Sequence, residues 1–146
     1  MSRVVIGIGS AHGEDAVGWR VVERLRESEI PDVQWIVARN PLEILDRCDG
    51  VASLYLVDGC VGPKVGRLHR MTWPDLQIEQ ERWRTSHGTD LAGVLRLGTE
   101  LEMLPPSITL WAIECEGSSI EGSWSDALQR GIEIAVEEIA RALHLS

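Results

Sequence analysis

The sequence predicts one α/β domain, residues 1–146, with a mostly parallel sheet of about five strands between two layers of helices. Strand-like and helix-like segments alternate along the chain, which is typical of parallel strands joined by helical crossovers. The first strand is apolar at nearly every position, which indicates burial on both faces. No repeat or linker interrupts the pattern, and the length is sufficient for one hydrophobic core. We therefore expect a three-layer sandwich.

The first half of the chain is predicted to hold three strands and two helices. In order, these are a strand at 3–9, a helix at 14–28, a strand at 33–38, a helix at 42–48 and a strand at 51–57. Gly7 and Gly9 stop the first strand, and Pro31 closes the first helix. Pro41 is suited to open the second helix, since proline is favoured in a first helical turn.

The second half continues the alternation. It is predicted to contain a strand at 65–71, a helix at 91–104, a strand at 107–113 and an amphipathic helix at 126–143. The strand at 65–71 follows the preceding strand too closely for a helical crossover, so we expect it to be antiparallel or at an edge. Pro105 and Pro106 are expected to end the helix that precedes them.

Composition excludes several classes of protein. The formal net charge is −9 and no basic cluster occurs, which argues against binding to nucleic acid. No apolar run reaches the roughly 18 residues that a membrane-spanning helix needs. The N-terminus lacks a charged-then-apolar leader, so a cytoplasmic location is expected. Cys48, Cys60 and Cys115 are widely spaced without a CxxC pair, and we expect reduced thiols.

Three polar residues follow predicted strands or stand in loops. Asp15 follows the first strand and a glycine-rich turn, Asp58 ends the strand at 51–57, and His87 precedes the helix at 91–104. The carboxyl ends of parallel strands meet at one edge of a sheet, where ligand crevices form. Two carboxylates and an imidazole there would form a metal site with open coordination positions.

Each of these residues also has a structural interpretation. Acidic residues such as Glu14 and Asp15 are favoured in a first helical turn by the helix dipole. A lone histidine is more often hydrogen-bonded than metal-bound, and this applies to His87 and to His12. His12 is expected to be a solvated loop residue; the other interpretation is a fourth ligand or a contact to substrate. Asp58 is different, because a carboxylate ending a buried strand needs a partner.

The glycine turn also suggests a dinucleotide site. That fingerprint requires a third glycine at position 12, where His12 stands. Phosphate binds to helix N-termini through backbone N–H groups, and here Glu14 and Asp15 would repel it. A nucleotide-binding function is therefore disfavoured.

The segment Gly7-Ile-Gly-Ser-Ala-His-Gly-Glu-Asp-Ala-Val-Gly18 resembles the opening motif of the hydrogenase maturation endopeptidases. These enzymes remove a short C-terminal peptide from the precursor of the nickel–iron hydrogenase large subunit. The second acid of that motif falls on Asp15. The family's strand-end aspartate falls on Asp58, and its loop histidine falls on His87 before Leu91. The resemblance extends over nearly the whole chain.

The chain departs from the family pattern at two places. Ser10 stands where the family usually has asparagine, and the loop after it is one residue shorter, which leaves the choice between Glu14 and Asp15 open. Asn40-Pro41 stands where an Asp-Gly-Gly-like turn is common, and this difference concerns the substrate groove and the target.

The resemblance implies a peptide-bond hydrolase that recognises nickel already inserted into its substrate. Asp15, Asp58 and His87 would complete the coordination of that nickel and serve catalysis, with Glu14 and His12 as secondary candidates. The ion would polarise the scissile carbonyl or lower the pKa of an attacking water. The motifs place neither a Ser–His–Asp arrangement nor a His-Glu-x-x-His zinc site.

The implied partner is a hydrogenase large-subunit precursor, and the chain itself is expected to be a monomer. In the free protein another divalent metal could occupy the site. The alternative function is a non-catalytic, metal-dependent binding or chaperone protein that has the same fold.

Overall fold

A computed structural model describes residues 2–10, 13–74, 91–117 and 124–145. Its strands are β1 (Arg3–Ile8), β2 (Val33–Ala38), β3 (Ser53–Val61), β4 (Leu68–Thr72) and β5 (Ser107–Cys115), in the order β2-β1-β3-β5-β4. All neighbouring pairs are parallel except β4 and β5, which are antiparallel. The predicted mostly parallel sheet of five strands is therefore confirmed, and so is the antiparallel edge strand.

The helices lie on both faces of the sheet. They are α1 (Val17–Arg26), α2 (Leu91–Glu100) and α3 (Asp126–Leu145), with 3₁₀ helices at Gly13–Ala16 and Pro41–Arg47. One core, between the sheet and helices α1 and α3, includes Val5, Val21, Leu25, Trp111, Ile132 and Ile139. The other core, on the side of α2 and the second 3₁₀ helix, includes Ile6, Ile44, Leu56, Leu95 and Leu110. Successive strand residues alternate between the two cores, as the pleat requires.

Two predicted helices differ from the observed ones in type. The predicted helix at 14–28 is a 3₁₀ turn followed by α1, and the one at 42–48 is a 3₁₀ helix. Asn40 caps the latter: its side chain accepts a hydrogen bond from Leu42 N–H, while the Glu43 carboxylate accepts one from Asn40 N–H. This reciprocal pair fixes the start of the helix at Pro41.

The predicted end of α2 was wrong by several residues. The helix ends at Glu100 and does not reach the two prolines. Glu102 adopts a left-handed backbone, with φ of 55°, and Met103 N–H donates to Gly98 O. This reversal satisfies carbonyls at the end of the helix.

The predicted ends of two central strands were also wrong. β3 continues past Asp58 to Val61, and β5 continues to Cys115. The two strands pair from Ser53↔Ser107 to Val61↔Cys115. The apolar pattern fades before the hydrogen bonding does, so sequence alone ended both strands too early.

No helix in the described part of the chain is long and apolar enough to cross a membrane.

Candidate active site

Asp58 lies where β1 ends and only β3 and β5 remain paired. Pairing between β1 and β3 stops at Gly7↔Val57, whereas β3 and β5 stay paired for four more residues. Asp58 is thus the first residue of β3 beyond the β1 ladder. In the sheet, β2 lies on one side of β1 and β3 lies on the other, so the chain changes direction at β1. The carboxyl ends of β1 and β3 therefore form a topological switch point, where ligands bind in open α/β sheets.

The Asp58 carboxylate is almost completely buried, with 1% of the residue exposed. Its Oδ1 accepts a hydrogen bond of 2.7 Å from Gly59 N–H. Asp58 pairs in register with Ala112 of β5, and Ala112 pairs in register with His69 of β4. A carboxylate removed from water in this way requires hydrogen bonds or a cation to offset its lost hydration. Burial at a switch point distinguishes Asp58 from an ordinary surface acid.

The 3₁₀ turn that carries Asp15 lies over the ends of β1 and β3. A Cβ on Gly18, which lies early in α1, would be 2.6 Å from both Ile8 O and Val57 O. A Cβ on Gly59 would lie 3.8 Å from Glu14 O, which belongs to the turn. The turn therefore passes directly above the residue that follows Asp58.

Gly9 allows this turn to approach the strand end. A Cβ on Gly9 would lie only 2.0 Å from Asp15 O, and that oxygen accepts a hydrogen bond of 3.1 Å from Ser10 N–H. The second glycine of the Gly7-Ile-Gly9 turn thus has a packing role. It permits close contact between backbones at the residue that sequence analysis selected as a ligand.

Glu14 and Asp15 are adjacent in sequence but have different surroundings. Both oxygens of the Glu14 carboxylate accept hydrogen bonds of 3.1 Å, from Glu116 N–H and from Gly117 N–H, just beyond β5. The indole of Trp124 adds another connection to the same turn by donating to Gly13 O at 3.1 Å. Gly13 and Glu14, the two residues before Asp15, therefore attach the turn to chain segments about 100 residues away.

Two buried thiols lie beside these carboxylates. Burial raises the pKa of Cys115, and the negative charges of Glu14, Asp58 and Asp15 raise it further. Burial likewise raises the pKa of Cys60 to about 12, with a contribution from Asp58. A Cβ on Gly59 would lie 3.3 Å from Cys115 Sγ, so this thiol lies directly beside the residue that follows Asp58. Thiols that stay protonated are poor nucleophiles.

A second buried carboxylate at this edge was missed by sequence analysis. Glu114 is 6% exposed and lies on the same sheet face as Asp58, two residues beyond Ala112. Its Oε1 is 2.7 Å from His69 Nε2, and its Oε2 accepts a hydrogen bond of 2.7 Å from Lys64 N–H. The sequence does contain a signal for Glu114, because this residue, like Asp58, comes directly after a run of apolar strand residues. The predicted strand at 107–113 ended one residue before it.

The pKa of Glu114 reflects opposing influences. Burial alone would raise the pKa of this carboxyl. The hydrogen bonds from His69 and Lys64 N–H, together with electrostatic attraction to His69 and Arg67, outweigh burial and lower the pKa of Glu114. Glu114 is thus an anion at neutral pH, near Asp58.

The structure places Asp15 and Asp58 at the same edge of the sheet. His87 and His12 lie outside the described residues. Within residues 2–10, 13–74, 91–117 and 124–145, no three His, Cys, Asp or Glu side chains form a group that could hold a metal ion. The three-ligand site therefore stays a prediction.

Solved structures with the same architecture cover almost the whole chain. A hydrogenase maturating endopeptidase, HybD, from Escherichia coli has a TM-score of 0.81 at 22% identity, covering 99% of this chain and 93% of its own. The chain has the fold of the hydrogenase maturation endopeptidases. HybD from Thermococcus kodakarensis matches at a TM-score of 0.75 and 15% identity, covering 98% of this chain and 99% of its own.

A hydrogenase 2 maturation peptidase from a Thaumarchaeota archaeon has 25% identity and a TM-score of 0.65, with all of both chains covered. No family model matches the sequence, and no curated protein matches it. The resemblance that the motifs indicated is thus confirmed in the fold.

Proposed function

We propose that this protein is an endopeptidase that removes the C-terminal extension of a nickel-containing hydrogenase large-subunit precursor. The observation that carries the proposal is the position of the Asp15 turn above the switch point, next to the buried Asp58. The sequence motifs point to the same two residues. Structural similarity to hydrogenase maturation endopeptidases supports a peptidase activity.

In this proposal, nickel is part of the substrate. Asp15, Asp58 and His87 complete its coordination while the precursor supplies the remaining ligands, a donor set of oxygen and nitrogen that suits a divalent ion. Asp15 is proposed as the first ligand in preference to Glu14, because both oxygens of Glu14 already accept backbone hydrogen bonds.

The bound ion would hold the scissile bond beside the two carboxylates. Nickel would then polarise the carbonyl or lower the pKa of a water for attack. Covalent catalysis by cysteine is disfavoured, since burial and neighbouring negative charge keep Cys60 and Cys115 protonated. The predicted monomeric state and cytoplasmic location are retained as part of the proposal.

The test is incubation with nickel-loaded precursor, with C-terminal truncation followed by mass spectrometry. We expect truncation by the wild type and none without nickel. Asp58→Asn and His87→Ala should each lower the rate by at least about 100-fold, because losing even an outer-shell partner of a ligand costs up to about that much. His87→Ala should remain folded. Asp46→Asn, at an exposed position, is the matched control and should process at the wild-type rate.

Two outcomes would contradict the proposal. Nickel-dependent binding of precursor without truncation would favour the non-catalytic binding or chaperone function. Wild-type processing by Asp58→Asn would remove the buried carboxylate from the mechanism.

A further inference from the structure

The two adjacent acids of the glycine-turn motif perform different tasks in this structure. Glu14 and Asp15 both belong to the 3₁₀ helix Gly13–Ala16. Such a helix has three residues per turn, so consecutive side chains leave it about 120° apart. The Glu14 side chain extends to the segment after β5, which leaves Asp15 aimed in another direction.

The contact made by Glu14 joins distant parts of the chain. Its carboxylate accepts from two consecutive N–H groups, Glu116 and Gly117, which are 102 and 103 residues away in sequence. Backbone N–H groups that follow the end of a strand lack a ladder partner, and a carboxylate satisfies both with charge-assisted bonds. We call this set of contacts the Glu14 clamp.

Two further hydrogen bonds hold the turn in place. Asp15 O accepts from Ser10 N–H, and Trp124 Nε1–H donates to Gly13 O, each at 3.1 Å. The clamp restrains the side of the turn that faces β5, because Glu116 and Gly117 directly follow β5, the strand that pairs with Asp58. Losing it would free the turn to shift relative to Asp58.

We infer that Glu14 is a positioning residue that sets the place of the Asp15 carboxylate relative to Asp58, and is not itself a metal ligand. The inference rests on the proposed function, in which Asp15 and Asp58 bind the same ion. Outer-shell groups that orient metal ligands typically change metal affinity by roughly 10- to 100-fold when they are removed.

Glu14→Gln is the appropriate variant, since it keeps the size of the side chain. The amide nitrogen of glutamine cannot accept a hydrogen bond, so one of the two N–H groups loses its partner. We expect nickel binding by the intact protein, measured by titration with Ni²⁺, to weaken about 10-fold. Amide hydrogen exchange at Glu116 and Gly117 should accelerate, which reports directly on the clamp. Glu137→Gln, at an exposed position of α3, is the matched control.

A double-variant comparison separates positioning from ligation. If Glu14 acts through Asp15, adding Glu14→Gln to Asp15→Asn should cause no further loss of nickel affinity. If the free protein binds nickel too weakly to titrate, the same comparison is made on steady-state cleavage of nickel-loaded precursor. There Glu14→Gln should lower kcat with little change in KM.

Three results would decide against the inference or its basis. Wild-type affinity and kcat in Glu14→Gln would overturn it. A loss that adds fully to that of Asp15→Asn would show that Glu14 acts independently, as a ligand or otherwise. Wild-type nickel binding and cleavage in both Asp15→Asn and Asp58→Asn would instead refute the proposed function, whatever Glu14 does.

Discussion

Replacing Gly9 with alanine should displace the turn that carries Asp15. The new Cβ would lie 2.0 Å from Asp15 O, and real Cβ contacts are essentially never shorter than 3.0 Å, so the turn or the strand end must move by ~1 Å. Displacements of that size at a reacting centre cost about 100-fold in rate. Overpacking of this kind also costs roughly 1–3 kcal/mol, or about 2–12 °C in Tm for a chain of this length.

The assay is nickel-dependent truncation of precursor together with thermal unfolding. Gly50→Ala is the control: space is open around Gly50, but its φ of 73° makes alanine cost about 1–2 kcal/mol. The Tm of Gly50→Ala should fall by a similar amount, and its truncation rate should equal that of the wild type. If Gly9→Ala processes precursor as fast as Gly50→Ala does, the turn does not position a group that the reaction needs.

Two further predictions concern the polar groups near Asp58. Glu114→Gln should lower the free energy of unfolding at pH 7 by about 1.5–3 kcal/mol, the value of hydrogen bonds to a charged group. The folded-state pKa of Glu114 is lowered from 4.5, so its contribution is present above pH 4.5 and is lost as pH falls through the lower folded value. Urea unfolding of both proteins at pH 7 and pH 3 should therefore show a gap that narrows in acid, and a constant gap would contradict the role of the Glu114 charge. Native Cys60 should react far more slowly with iodoacetamide than the unfolded chain does, since a pKa of about 12 leaves roughly one thiolate in ten thousand at pH 8. Rapid modification of Cys60 in the folded protein, mapped by peptide mass, would show that the thiol is accessible.

The sheet could be predicted from sequence because its strands are continuous apolar runs. Val/Ile-rich segments identified the positions of β1, β2, β3 and β5. The short connection after β3 correctly indicated that the next strand, β4, is an antiparallel edge strand, and it pairs with β5. Strand ends were predicted less well. Pairing of β3 with β5 depends on register between two chain segments, and Asp58 and Glu114 interrupt the apolar pattern without interrupting that pairing.

The candidate site was predictable in part for similar reasons. Asp58 ends one predicted strand and Asp15 follows another, and the direction of parallel strands alone places both residues at one edge. The role of Glu14 was not predictable, because its partners lie more than 100 residues away and are backbone groups without any sequence signature. The contact between His69 and Glu114 likewise depends on how the edge strand aligns with β5.

Because β3 extends past the end of β1, Asp58 lies in a paired strand and Asp15 lies in a turn, so the two positions differ in how readily they accept a substitution. Asp58 belongs to a paired strand, whose backbone opens only at a free energy close to that of global unfolding. Asp15 belongs to a four-residue 3₁₀ turn that lies outside the sheet. A change of metal preference is therefore easier to engineer at position 15: a softer ligand there would alter selectivity without disturbing the sheet, whereas the same change at position 58 would have to be accommodated inside the core.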